Sequence, residues 1–227
     1  TVEEARTYLE ETLKKENLLE LYKNVEQPLI KRVEEMEKNG VLIDVDVLKK
    51  QSVELHKEVK ILEKEIYELA GKEFLISSPK QLGEVLYVHL GLGTRIQETS
   101  TGALSTNVKE LEKLLDLHPV VAKVIDYREL TKLLSTYIDS LPNYVKDDGR
   151  IHAHFVQSGT GTGRFSCEDP NLQNLPIKSE RGQKIRDAFI APKGKTLLSC
   201  DYAQIDLRAA AILSNDPHLV EIFEKGI

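Results

Sequence analysis

No apolar run in this 227-residue chain approaches the roughly 20 residues needed to cross a bilayer, and its first residues lack the apolar core of a signal peptide. Cysteine is scarce. Cys167 and Cys200 are the only two, and they stand at no metal-ligand spacing, which excludes a cysteine-built metal module. Cys200 lies inside an apolar run and is expected to be a small buried thiol. These absences lead us to expect a soluble protein of a reducing, cytoplasmic compartment with no membrane partner. Internal repeats and low-complexity tracts are also missing. What is present, 41% hydrophobic and 30% charged residues, is the composition of a globular chain long enough for one large or two small domains with real cores.

A net charge of −6 argues on its own against a nucleic-acid binder, but the charge is uneven. The first seventy residues are rich in Glu. Between Lys178 and Lys195 the balance reverses, with Lys178, Arg181, Lys184, Arg186, Lys193 and Lys195 set against Glu180 and Asp187. Such a run is a solvated face by default and a phosphate-facing patch if a site surrounds it.

Along the chain, residues 1–24 read as one or two polar helices with Leu9, Leu13, Leu18 and Leu21 available for packing. Gln27-Pro28 opens another helix with an apolar face of Leu29, Val33 and Met36, stopped at Asn39-Gly40. After a short extended piece, Val41-Leu42-Ile43, Asp44 is the expected cap of a helix over 45–70. Leu55, Val59, Leu62, Ile66 and Leu69 alternate steps of four and three along it, a heptad seam that Gly71 closes. A second long stripe, Val120, Val124, Tyr127, Leu134, Ile138 and Leu141, predicts a helix over about 119–141 that packs antiparallel on the first. Between them, Ser78-Pro79 starts a short helix through Leu90, Gly91 to Thr106 is loop, and Ser105 or Thr106 restarts a helix. After Asp147-Asp148-Gly149 the pattern alternates in strand fashion from Ile151 to Gln157, and a domain boundary is expected near Gly149.

Three stretches carry chemistry. Ser158 to Arg164, SGTGTGR, follows a strand, but Asp169-Pro170 prevents a helix from opening after it, so it is no dinucleotide-binding loop. What remains is backbone able to approach a partner closely, with Arg164 projecting from it. Pro170 to Pro176, PNLQNLP, holds Asn171, Gln173 and Asn174 between two prolines. Amides both donate and accept, which suits the degenerate acceptor pattern of a minor groove and equally an ordinary structured loop. Finally, Thr196 to Cys200 reads as a buried strand delivering Asp201 to a strand-to-helix junction, with Ile205, Ala209 and Ile212 on one face of the following helix. A carboxylate there is a hard oxygen ligand suited to Mg²⁺, or else the cap of that helix.

Taken in order, Thr160-x-Thr162-Gly163-Arg164-x-Ser166, Pro170-Asn171-Leu172-Gln173-Asn174-x-Pro176, Gly182-x-x-Ile185-Arg186-x-Ala188-Phe189 and Asp201-Tyr202-x-Gln204-Ile205-x-Leu207-Arg208 closely resemble the palm motifs of the family A DNA polymerases. Upstream, Glu26-Gln27-Pro28-Leu29-Ile30, Ser78-Pro79-Lys80-Gln81-Leu82 and Tyr127-Arg128-Glu129-Leu130-x-Lys132-Leu133 are similar to that family's thumb and its approach. The resemblance implies an α+β fold: the tail of an exonuclease-like domain (1–24), a long antiparallel helical thumb (25–149), and the first part of a mixed α/β palm with an antiparallel sheet (150–227). It implies template-directed addition of a dNTP to a primer hydroxyl by two-metal catalysis with Mg²⁺. By the same resemblance Asp201 and the Tyr202 main-chain carbonyl are metal ligands, and Arg164, Asn171, Gln173 and Asn174 lie along primer-template DNA. Arg128, Lys132 and Lys178 would meet phosphates, and Gln204 and Asp206 the incoming nucleotide.

The sequence departs from the family pattern in three places. Asp206 stands where the family usually has Glu, Lys178 where Arg is common, and Arg95 is the only base in a thumb-tip loop (Arg95 to Gly102) that is lysine-rich in relatives. The resemblance also places the fingers, the second catalytic Asp and the rest of the palm in a second segment or chain. A non-catalytic DNA-binding module derived from such a polymerase is the alternative.

Overall fold

In the computed structural model, which describes residues 1–92, 104–176 and 179–226, the chain divides into two units, Thr1–Ile190 and Ala191–Ile227. The first unit begins with α1 (Val2–Lys15), started by a capping box in which Thr1 Oγ1 accepts from the Glu4 N–H at 3.3 Å and Glu4 reaches back to the terminal amine. It buries no residue. The next helix does not start at Gln27. It starts as α2 (Leu19–Leu21), widens into a π-helical turn at Tyr22–Glu26 and runs on as α3 (Gln27–Asn39). The physical reason is Pro28, which has no N–H to give to the carbonyl four residues back; the wider turn, closed by the Gln27 N–H on the Tyr22 carbonyl, sits immediately before it. Of the expected face of α3 only Val33 is buried, while Met36 is exposed.

The core belongs to the two predicted stripes. β1 (Val41–Leu42) leads to Asp44, whose carboxylate accepts from the N–H groups of Asp46 and Val47 at 3.0 and 3.2 Å and so starts α4 (Val45–Ala70). Gly71 ends it at φ 71°, the left-handed conformation that a residue without Cβ adopts at least cost. Val59, Leu62 and Ile66 are buried, and Leu55 and Leu69 pack partly buried against the same core. α5 (Pro79–Gly83), capped by Ser78, passes through a π-helical turn, Glu84–His89. α6 (Val108–Glu112) follows, capped by Asn107 instead of Ser105 or Thr106 because the Asn107 Oδ1 accepts from the Glu110 N–H at 2.9 Å. Then α7 (Val120–Leu133) continues through a π-helical turn (Leu134–Ile138) to a 3₁₀ turn (Leu141–Tyr144), and all six residues of its predicted stripe are buried. Side-chain bonds fix the direction of the pair. Ser52 and His56 reach Asp139, whereas Glu63 meets Tyr127 and Glu65 meets Lys123, so α4 and α7 run antiparallel. Each fully buried Leu or Ile in this seam contributes on the order of 1.5–3 kcal/mol.

β2 (Arg150–Ile151) pairs antiparallel with β1, Val41 opposite Ile151, so strands from both sides of Gly149 share one ladder. β3 (His154–Val156) pairs antiparallel with β4 (Ser166–Glu168), Phe155 opposite Cys167, and the SGTGTGR segment is the turn between them. α8 (Glu180–Arg186) then buries Ile185 completely. Gln51 Nε2 donates to the Lys184 carbonyl at 2.8 Å, and Arg181 pairs with Glu58 and with Glu129, the latter at 3.7 Å. A Cβ on Gly182 would come within 2.7 Å of the Pro176 ring, so glycine is what lets α8 abut the end of the PNLQNLP segment.

In the second unit the expected strand does not form. Thr196–Cys200 has no regular structure, Leu197 and Leu198 are 61% and 85% exposed, and Cys200 is exposed where a core thiol was expected. A strand needs a neighbour for its N–H and C=O groups, and no described segment pairs with this one. α9 (Ile205–Ser214) and α10 (Pro217–Lys225) do form, the latter capped by Asp216 through the His218 and Leu219 N–H groups. The Arg208 guanidinium lies 4.8 Å over the Phe223 ring. The predicted face of α9 is open: Ile205 and Ile212 are 54% and 79% exposed, and Ala211 is the residue it buries. No helix among the described residues is long and apolar enough to cross a membrane.

Candidate nucleic-acid interface

The two bases predicted on the second long helix have different surroundings. Lys132 is exposed, whereas Arg128 one turn earlier is half-buried. The Arg128 guanidinium donates to the Thr106 carbonyl and, at 3.2 Å, to Thr106 Oγ1. Burial pushes it below its ordinary value, with the Tyr87 hydroxyl acting in the opposite sense. Beside it, Tyr87 donates its hydroxyl to the Ser105 carbonyl at 2.5 Å. Burial pushes that phenol up to about 12, so it stays a donor at any physiological pH. Arg128, Tyr87, Thr106, Asn107 and Lys80 line an open cleft of about 890 Å³. Tyr87 and Thr106 were invisible as site residues in the sequence, since a tyrosine on a short helix and a threonine at a loop end carry no pattern.

Arg164 is exposed at the end of the glycine turn, where Thr160 Oγ1 donates to its carbonyl at 2.7 Å. Asn171, Gln173 and Asn174 are all exposed. Asn171 Oδ1 accepts from the Gln173 N–H at 3.0 Å, a local turn that leaves the Gln173 side chain outward. The Tyr137 hydroxyl donates to the Asn174 carbonyl and ties this segment to the helical core. Thus the structure holds the backbone of the amide-rich segment while its three amide side chains face solvent. In the basic run, Arg181 is taken up by Glu58 and Glu129, and Lys184 and Arg186 stay exposed. Lys178 and the Arg95 to Gly102 loop lie outside the described residues.

Within the second unit, Asp201, Tyr202, Gln204 and Asp206 lie in the turn before α9 and in its first turn, all exposed. Asp201 does not cap the helix. The N-cap is Gln204, in a left-handed conformation at φ 53°, and it makes no side-chain cap bond. Among the described residues no three His, Cys, Asp or Glu side chains converge on a metal-sized site. The donors offered are one carboxylate, on Asp201, and the adjacent Tyr202 carbonyl. Both are hard oxygens that suit Mg²⁺, an ion that commonly takes only one or two carboxylates besides water and substrate phosphates.

The antiparallel helix pair with its two small antiparallel sheets is of α+β class. Residues 45–227 match the sequence profile of DNA polymerase family A, and the chain belongs to that family. It is 47% identical over 212 residues to the thermostable DNA polymerase I of Thermus aquaticus, covering 93% of this chain and 26% of that protein. It is 45% identical over 206 residues to DNA polymerase I of Lactococcus lactis, covering 91% of this chain and 23% of that one. Its fold is similar to the POL domain of Pol1 from M. smegmatis, solved in complex with DNA primer-template and dNTP, at a TM-score of 0.89 and 35% identity over 96% of this chain and 38% of that one. The chain therefore spans about a quarter of the length of the curated relatives it matches.

Proposed function

We propose that this chain contributes the thumb (25–149), with the tail of an exonuclease-like domain before it (1–24), and the first part of the palm (150–227) to a DNA-directed DNA polymerase. The observation that carries this reading is the shared fold over 96% of the chain with a polymerase domain that holds primer-template and dNTP. Lys132, Lys184 and Arg186 would bind backbone phosphates, giving affinity that tolerates sequence and falls with salt. Arg164, Asn171, Gln173 and Asn174 would follow the minor groove near the primer end. Gln204 and Asp206 would face the incoming nucleotide, Asp206 at the sugar. Asp201 and the Tyr202 carbonyl would hold Mg²⁺, which when bound neutralises charge on the phosphoryl group being transferred and on the leaving pyrophosphate. The exposed apolar side chains Leu197, Leu198, Ile205, Ile212 and Leu213 support a further segment or chain, bearing the fingers and the rest of the palm, that covers them.

Primer extension tests the reading. This polypeptide alone, with one metal-binding carboxylate, should extend no primer. In the complete polymerase containing it, Asp201→Asn should abolish synthesis while primer-template affinity stays nearly unchanged, because Asn keeps the size and one acceptor but loses the charge. Near wild-type synthesis by Asp201→Asn would remove Asp201 from the metal site. Unchanged DNA binding and unchanged salt dependence in Lys132→Ala would likewise favour another surface.

A further inference from the structure

Among the described residues β3 and β4 form a sheet of two strands, and a hairpin of that size is marginal in water on its own. Here a helix from a distant part of the chain holds it. Glu37 Oε1 on α3 accepts from the Phe155 N–H at 2.6 Å and lies 2.8 Å from His154 Nδ1, while the Glu37 carbonyl lies 2.7 Å from His152 Nδ1. Gln157 Nε2 donates to the Glu26 carbonyl at 3.1 Å and to Glu26 Oε2 at 3.0 Å. At the other end, the Arg150 guanidinium donates to the Asn39 and Gly40 carbonyls at 3.2 and 3.3 Å. The partners step back along the helix as the strand advances, so 150–157 runs against α3. Glu26 and Glu37 are eleven residues apart, about three helical turns, which puts both carboxylates on one helix face.

That face does for β3 what a third strand would do, with a carboxylate that binds a main-chain N–H more strongly than a neutral carbonyl does. The hairpin so held carries two of the candidate contacts. Its turn is SGTGTGR, ending at Arg164. Its second strand fastens the amide-rich segment, because Cys167 Sγ donates to the Pro170 carbonyl at 3.4 Å and accepts from the Leu172 N–H at 3.5 Å. We propose that Glu37 and Glu26 are positioning residues: from α3 they hold β3 in place and so set where the glycine turn presents Arg164. The use of Arg164 on DNA rests on the polymerase reading; the hold on β3 does not. Removing an acid would by its charge alone strengthen DNA binding, whereas removing the hold should weaken it.

Both halves can be measured in the complete polymerase containing this chain. Without DNA, Glu37→Ala should speed amide exchange at Phe155 by about tenfold, and Glu37→Gln, which keeps an acceptor oxygen, by much less. Glu34→Ala, which removes an exposed acid of the same helix, should leave that exchange unchanged. With primer-template, Glu37→Ala should lower kcat/KM for extension by about tenfold, and the double variant Glu37→Ala/Arg164→Ala should fall no further than Arg164→Ala alone. Unchanged exchange in Glu37→Ala overturns the hold on β3. Tighter DNA binding by Glu37→Ala, or losses that multiply in the double variant, overturn its action through Arg164. Should Glu37→Ala fail to fold, Gln157→Ala opens the Glu26 end of the same hold and carries the same comparison. If Arg164→Ala extends primers as well as the wild type does, the DNA reading of Arg164 falls and with it the second half of the inference, while amide exchange still decides the first.

Discussion

Val45–Ala70 and the stretch from Thr196 to Ser214 both carry runs of aliphatic side chains, and they treat them in opposite ways. The first hides its seam against Val120–Ile138, with Leu48 and Ile66 wholly buried. The second leaves Leu198, Ile212 and Leu213 79–86% exposed and buries Ala211. The difference lies in what each element needs. A helix satisfies its own backbone and asks only for an apolar face elsewhere in the chain, which α7 provides. A strand must borrow every hydrogen bond from a neighbour, and an apolar face without a cover stays wet whatever its sequence. Apolar content predicts burial only where the partner is at hand.

The largest test of this contrast is truncation in each region. Ile66→Ala or Leu130→Ala should cost about 2–5 kcal/mol, the transfer loss plus the cavity left in a packed seam. Leu198→Ala should move stability by no more than about 0.5 kcal/mol, as for exposed positions generally. Equilibrium unfolding in denaturant, followed by helical signal, measures both. A cost at Leu198 comparable to that at Leu130 would mean that the second unit has a core of its own.

A smaller effect sharpens the same comparison at the helix starts. Asp44→Ala removes the acceptor of two N–H groups at the head of α4 and should destabilise by about 1 kcal/mol. The same unfolding experiment checks it, and Asp44→Asn, which keeps an acceptor oxygen, should restore most of the loss.

The helical part was open to reading from the sequence because its signals are local. Asp44, the seam from Leu55 to Leu69 and Gly71 each announce a boundary or a face, and all stand where the spacing predicts. The π-helical turns at Tyr22–Glu26, Glu84–His89 and Leu134–Ile138 were not legible, since a bond to the fifth residue back leaves almost no trace in the apolar period. Neither was the fate of Arg181, a base in a basic run that finds Glu58 and Glu129 from distant parts of the chain. The candidate site divides the same way. Asn171, Gln173 and Asn174 were readable as exposed amides between prolines, while the hydroxyl of Tyr137 that fixes their backbone was not. Arg128 was readable as a base, and its turn towards Thr106 depends on a loop end that sequence spacing does not place.

The smallest expected effect concerns Asp201, and its smallness is the point. If the carboxylate were a helix cap, Asp201→Asn would be tolerated because Asn also caps, but Asp201→Ala would cost about 0.5–2 kcal/mol. The structure puts the cap at Gln204 and leaves Asp201 exposed in the turn before α9. Asp201→Ala should therefore change stability by less than about 0.5 kcal/mol, the range of surface substitutions without a structural partner. Paired with lost synthesis in the complete polymerase, that neutrality would mean the charge serves a ligand and not the fold. A loss above about 1 kcal/mol would instead make Asp201 part of the architecture of the turn, and the failure of synthesis would then follow from a displaced α9. Measuring both in one variant distinguishes a residue kept for chemistry from one kept for structure, which is the distinction between the two regions drawn down to a single side chain.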